Sequence, residues 1–265
     1  MNLKKTLADV RGIAVEAGAA IMEVYRRDEK LSTETKADDS PLTEADLAAN
    51  RIVVARLQEL TPGIPILAEE SDLPDWTQRK HWSECWVVDP LDGTREFLKQ
   101  NDEFTVNIAL VRDHKPVLGV VYAPALQRWY YAARHEGAWR QDGKKTPIKL
   151  TAHPPEPGRP LKVVGSRSHN TPEFDEFVGR LGETETVVMG SSLKLCLVAD
   201  GTADLYPRLG PTSEWDTCAA QAVVEQAGAQ VLNFETGEPL SYNARESIIN
   251  PHFIVCTESD PGWFK

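Results

Sequence analysis

Apolar residues recur through the first 25 positions at alternating steps of four and three: Leu3, Leu7, Val10, Ala14, Ala17, Ile21 and Val24. That spacing predicts a long opening helix with one buried face. Residues 28–41 break the pattern with a polar run, expected to be a mobile loop or a hairpin. Thr43-Glu44-Ala45-Asp46 then has the form of a capping box, with Thr at the N-cap and an acid three residues on. It opens a second helix to about Leu60, which Thr61-Pro62-Gly63 ends. Short apolar runs take over from there. Residues 64–68 read as a buried strand ending on Glu69-Glu70, and residues 72–84 as a polar loop. Residues 85–89 form another apolar run. The segments 104–111, 117–122 and 128–133 are separated by short charged or proline-containing turns, which predicts an antiparallel meander.

The most proline-dense stretch, residues 151–160, is expected to join two halves, an α+β half at 1–155 and a smaller α/β half at 156–265. In the second half, strands are expected at 161–164, 185–189, 230–233 and 252–256. Helices are expected at 171–181, from Ser191 onward, and at 213–227. The last of these begins Ser213-Glu214-Trp215-Asp216, a second capping box. Alternation of this kind predicts a mixed α/β layer.

With 265 residues, 41% of them hydrophobic, the chain can bury a full core. A net charge of −11 argues against nucleic acid or an anionic membrane as the main partner. A small anionic substrate stays possible, because a bound metal reverses the local field. The four cysteines, Cys85, Cys196, Cys218 and Cys256, make no CxxC pair and are expected to be buried free thiols in a reducing compartment. Asp9, Arg11 and Glu16 interrupt any signal-peptide core, and no apolar stretch approaches a membrane span. The expected location is the cytoplasm.

The chemistry concentrates at Cys85-Trp86-Val87-Val88-Asp89-Pro90-Leu91-Asp92-Gly93-Thr94. A buried strand ends on two carboxylates, and α/β proteins place their sites at such strand ends. Pro90 fixes one φ angle, so Asp89, Asp92 and the Leu91 carbonyl can converge as hard oxygen ligands suited to Mg²⁺. Backbone N–H groups at Gly93 and Thr94 would offer an anion seat beside the metal. Pro-Leu-Asp-Gly alone is also an ordinary β-turn, Asp46 alone a helix cap, and Glu69-Glu70 alone a solvated pair. Lys194 near a helix start is an odd place for a structural cation, since the helix dipole disfavours it there.

Taken together, Asp46, Glu69-Glu70, the 86–94 motif and Trp215-Asp216 resemble the Mg²⁺-dependent, lithium-sensitive phosphomonoesterases of the inositol monophosphatase superfamily. Residues 40–46, 190–196, 205–208, 214–216 and Asn250-Pro251 are similar to its bacterial bisphosphate-nucleotidase branch. Ala68 stands where relatives often have Gly. The resemblance implies an αβαβα layered sandwich holding two or three Mg²⁺ ions. It implies Glu69, Asp89, the Leu91 carbonyl, Asp92 and Asp216 as metal ligands, and Asp46 with Thr94 as the water-activating pair, with Glu69 also in the catalytic set. His169, Ser191, Lys194 and Arg208 would contact the nucleotide, along with Gly93, Thr94 and Asp216. The implied activity is removal of the 3′-phosphate from adenosine 3′,5′-bisphosphate, with the 5′-phosphosulfate analogue as a further substrate, in sulfur assimilation. It admits a peripheral seat on the inner membrane. An inositol or sugar phosphatase is the alternative enzyme, and a metal-binding regulator without turnover the alternative class.

Overall fold

In the computed structural model, which describes residues 1–27, 33–35, 41–166, 171–260 and 263, the opening helix α1 spans Leu3–Tyr25. The Asn2 side chain caps it by accepting from the Lys5 N–H, and Leu7, Val10, Ala14, Ala17, Ile21 and Val24 are buried as their spacing requires. Strands β1 (Thr33–Thr35) and β2 (Pro41–Thr43) pair antiparallel, so the polar run forms a hairpin where it is described. Its other residues lie outside the described set. Helix α2 (Glu44–Leu60) starts at Thr43 with both halves of the capping box made. Strand β3 (Ile66–Ala68) follows.

The expected loop at 72–84 holds a one-turn helix, α3 (Trp76–Arg79). Asp75 caps it, accepting from the Thr77 N–H at 2.7 Å. Sequence periodicity cannot reveal so short an element. Strand β4 (Glu84–Asp92) runs three residues past the expected end, with a register shift between Asp89 and Asp92 against its neighbour. Pro90 has no N–H to give the ladder, and the irregular step absorbs it. Helix α4 (Thr94–Leu98) comes next. The meander is β5 (Thr105–Arg112), β6 (Lys115–Ala123) and β7 (Arg128–Ala133), and it continues through β8 (Gly137–Asp142) and β9 (Ile148–Leu150). Only Ala138 and Leu150 are buried in these last two strands, which are too short and too mixed for an apolar alternation to stand out.

Residues 151–160 contain no helix or strand. Beyond them come β10 (Leu161–Ser166), α5 (Pro172–Gly179), β11 (Thr184–Met189), α6 (Leu193–Ala199), β12 (Leu205–Arg208), α7 (Glu214–Ala227), β13 (Gln230–Asn233) and β14 (Phe253–Cys256). One sheet has seven strands in chain order, β3 to β9, parallel only at β3–β4. The other has five, ordered β11-β10-β12-β14-β13, parallel through β12 and antiparallel after it.

Side-chain alternation along these strands builds the layers. On β4 and β5, Trp86, Val88, Val106, Ile108 and Leu110 face α1 and α2, burying Val10, Ile21, Val53 and Leu57. The opposite residues, Cys85, Val87, Ala109 and Val111, share a core with Leu195, Cys218, Val223 and Val255, from α6, α7 and the inner face of the second sheet. The outer face of that sheet, Val163, Leu205, Leu232 and Ile254, packs on Phe174 and Phe177 of α5. The order is helix, sheet, helix, sheet, helix, an αβαβα sandwich. All four cysteines are buried and free. Among the described residues no helix is long and apolar enough to cross a membrane.

Helix α7 lies so close to β6 that a Cβ on Gly119 would fall 2.2 Å from the Ala219 carbonyl oxygen and 2.8 Å from the Ala222 Cβ. Gly119→Ala must therefore push the helix off the sheet. Overpacking of this kind costs about 1–3 kcal/mol, and a urea melt should show that loss. A variant as stable as the parent would mean that α7 is free to shift.

Candidate active site

Four segments bring carboxylates to one place. Asp89 and Asp92 flank the irregular step of β4, and Asp216 stands in the first turn of α7. One carboxylate oxygen from each lies within 4.8 Å of the others. Glu69, on the turn after β3, stands beside the Asp89 side chain, and its charge helps to raise the Asp89 carboxyl. Its own N–H donates to the Val88 carbonyl at 3.1 Å, which ties the turn to β4.

Each acid is also fixed from behind. Asp89 Oδ1 accepts from the Leu91 N–H at 3.0 Å. Asp92 Oδ2 accepts from the Ser191 hydroxyl at 2.6 Å and from the Ser192 N–H. Asp216 Oδ2 accepts from the Ser213 N–H at 2.8 Å, completing the α7 capping box. Asp46 splits its two oxygens: Oδ2 takes the Thr43 N–H and hydroxyl at 2.8 and 2.5 Å, and Oδ1 takes the Thr94 hydroxyl at 3.2 Å. Capping and contact with Thr94 are therefore both real. Thr94 also reaches the Leu91 carbonyl at 3.5 Å, which puts that oxygen beside the pair. Gly93, at φ +91°, lets the chain turn from β4 into α4, with only 3.1 Å between a would-be Cβ and the Glu103 carbonyl.

The acids crowd one another out of water. Burial, and then the charges of Glu69, Asp92 and Asp216, hold the Asp89 carboxyl well above its ordinary range. Burial and then the Asp92 charge push Asp216 up to about 8. Beside them opens a cleft of about 80 Å³, lined by Asp92, Asp216, Ser191, Lys194, Tyr206 and Arg208 among others. Lys194 Nζ sits 6.0 Å from the Tyr206 ring centre. Arg208 Nη2 donates to the Pro211 carbonyl at 3.0 Å, while its buried Nε has no partner among the described residues. Asp92, Ser191, Lys194, Arg208 and Asp216 line this cleft, Asp89 clusters with two of them, and Asp46, Thr94 and the Leu91 carbonyl form a hydrogen-bonded set at the end of the same strand. His169 lies outside the described residues.

The sequence reading passed over Thr105, Asn107 and Ser192. All three are buried and bonded to one another behind Asp92. Their signal was present: Thr105 and Asn107 are polar at alternate positions of an otherwise apolar strand, so both project to the same face.

A layered αβαβα sandwich with this acidic centre defines a recognisable class, and residues 2–258 match the model of the inositol monophosphatase family. The chain belongs to that family. Within it, the chain is 50% identical over 250 residues to the 3′(2′),5′-bisphosphate nucleotidase CysQ of Salmonella typhimurium, covering 94% of this chain and 98% of that one. The crystal structure of CysQ from Bacteroides thetaiotaomicron is 38% identical and superposes with a TM-score of 0.86, over 97% of this chain and 99% of that one. An inositol monophosphatase from Anabaena, 25% identical, gives 0.76 over 97% and 92%.

The raised Asp216 carboxyl sets a pH dependence for the metal-free protein. The folded state keeps a proton up to about pH 8 that the unfolded chain releases near pH 4. Its stabilising contribution is complete below pH 4 and is lost as pH rises toward 8. Thermal melts in EDTA should therefore fall between pH 5 and pH 8, and Asp216→Asn should flatten part of that slope. A parent protein whose melting temperature rises over the same interval would contradict this electrostatic picture.

Proposed function

We propose that this chain is a divalent-cation-dependent phosphomonoesterase that removes the 3′-phosphate of adenosine 3′,5′-bisphosphate, giving AMP and phosphate. The observation that carries the reading is that one cleft holds both ends such a substrate needs. Asp92 and Asp216 of the carboxylate cluster line it together with the cations Lys194 and Arg208.

The donor set fits a hard cation such as Mg²⁺. It consists of oxygens alone, is largely withdrawn from water, and is destabilised by its own repulsion. Glu69, Asp89, Asp92, Asp216 and the Leu91 carbonyl are proposed to hold the ions. Bound there, Mg²⁺ would offset the charge of the phosphoryl oxygens and of the departing alkoxide. The rest falls to side chains of the protein. The attacking water gives a proton to Thr94 Oγ1 as Thr94 passes its own to Asp46 Oδ1, along the hydrogen bond already formed. The N–H groups of Gly93 and Thr94 are proposed to face the reacting phosphate. Lys194 and Arg208 are proposed to take the 5′-phosphate, with Ser191 on the cleft wall between the two ends and His169 a further contact. Arginine suits two-point contact with a phosphate and lysine a point charge. Binding energy from this distal group favours bisphosphates over plain monoesters.

Two measurements test these roles. Asp46→Asn keeps an oxygen that can accept the Thr43 N–H and should cost no more than a lost helix cap, about 0.5–2 kcal/mol, while turnover falls about 10²–10⁴-fold. A stable variant with parental turnover would leave Asp46 a cap alone. The substrate is tested by catalytic efficiency on adenosine 3′,5′-bisphosphate, 3′-AMP and inositol 1-phosphate. Lys194→Ala and Arg208→Ala should each lose about 10- to 100-fold on the bisphosphate, the worth of a charged hydrogen bond, and far less on 3′-AMP. Equal losses on both nucleotides would remove these cations from the second phosphate. A parent enzyme that prefers inositol 1-phosphate would overturn the nucleotidase reading.

A further inference from the structure

Behind Asp92 the structure holds a closed chain of polar groups, all inside the protein: Thr105, Asn107, Ser191 and Ser192 are each at most 6% exposed. We propose that Thr105 and Asn107, working through Ser191 and Ser192, are positioning residues. They fix Asp92 as a one-oxygen ligand and so set how tightly the site holds its cation. The inference rests on Asp92 being a cation ligand and is independent of which phosphomonoester the enzyme prefers.

Counting hydrogens gives the chain a direction. Each hydroxyl has one hydrogen to give. Ser191 gives its own to Asp92 Oδ2 at 2.6 Å, and Ser192 gives its own to Asn107 Oδ1 at 2.7 Å. Neither serine can then donate to Thr105, whose oxygen lies 2.6 Å from Ser191 Oγ and 2.9 Å from Ser192 Oγ. Asn107 Nδ2 donates to Thr105 Oγ1 at 3.1 Å. The Thr105 hydrogen must therefore point back at the serines, and the shorter contact selects Ser191. The opposite orientation of the Asn107 amide would claim the Thr105 hydrogen for itself. Two oxygens 2.6 Å apart would then have none between them, so the amide orientation is settled as well.

The result is a relay of donors from Asn107 to Thr105 to Ser191 to Asp92. With the Ser192 N–H added, Asp92 Oδ2 has two donors, which leaves Oδ1 as the oxygen free to serve a cation. Ser191 also needs holding for its own sake. Its φ of +57° lies in the left-handed region, which a non-glycine residue occupies only when its surroundings impose it. The Gly190 N–H donates to Glu103 Oε2 at 2.8 Å and pins the same loop one residue earlier. Lys194 follows in the first turn of α6, so the bonds that orient Asp92 also place a cleft cation.

The test uses the full chain and reads Mg²⁺ binding directly, by calorimetry without substrate, beside the Mg²⁺ concentration that half-activates phosphate release. Thr105→Val keeps the shape and removes the hydroxyl; thermal melts in EDTA establish that it folds. Its half-saturating Mg²⁺ should rise by more than threefold and up to about tenfold in both measurements, the worth of a lost hydrogen bond between neutral groups. Thr105→Ser restores the donor and should stay within about threefold of the parent. Asn107→Asp is the second variant and decides the matter if the valine variant does not fold. A carboxylate there draws the Thr105 hydrogen away from Ser191, so Mg²⁺ binding should weaken although the added negative charge alone would tighten it. Parental or tighter affinity in a folded Thr105→Val or Asn107→Asp variant would overturn the proposal. A parent that binds no Mg²⁺ would overturn it together with the cation site. A parent that binds Mg²⁺ but prefers inositol 1-phosphate would overturn only the nucleotidase reading.

Discussion

Mutual repulsion among carboxylates is the constraint that the rest of this structure answers to. Three of them, from β4 and α7, meet within 4.8 Å, with the Glu69 charge acting on one of the three. Left alone, such groups would move apart or stay protonated. The fold prevents the first by anchoring each acid to backbone at its rear. The second, seen in the raised Asp89 and Asp216, is the state from which a cation binds by displacing protons.

The anchors are ordinary devices of secondary structure. Asp46 and Asp216 are the third residues of two helices and complete two capping boxes. Asp89 closes a tight turn on the Leu91 N–H, and Asp92 receives a serine hydroxyl and an N–H from the other half of the chain. A carboxylate has about four lone-pair positions. One oxygen can serve the helix start while the other faces elsewhere, as at Asp46, whose Oδ2 takes Thr43 and whose Oδ1 takes Thr94. The helix cap therefore does not use up the side chain. Further out, buried Arg79 donates to the Asn243 side chain and to the Arg245 and Glu246 carbonyls, and the Asn243 N–H donates to Glu214 in the first turn of α7. The loop before β4 is thereby tied to the helix that carries Asp216.

Much of this was legible in the sequence because it is local. The four-and-three spacing of α1, the two capping boxes and the acids at the end of β4 each depend on a few neighbouring residues. What escaped was either too polar or too distant to leave a local trace. Strands β8 and β9 show little alternation because their sheet edge is half-exposed. Thr105 and Asn107 are polar residues in an apolar strand, but their partners lie about 85 residues away. Composition and period carry no information about such a pairing.

The central helix has a consequence for how the chain is made. Cys85, Val87, Ala109 and Val111 of the first sheet are covered chiefly by α6, α7 and the inner face of the second sheet. Synthesis runs from the N-terminus, so this apolar face is complete when β9 leaves the ribosome, while α7 is still to be translated. At about 5–20 residues per second, the roughly 80 residues to the end of α7 take on the order of 4–15 s. Throughout that interval a nascent chain with one finished sheet and one bare face is exposed to its neighbours on the polysome. The same helix that delivers Asp216 to the site is therefore also a main part of the cover for that face, and β13 and β14 complete it.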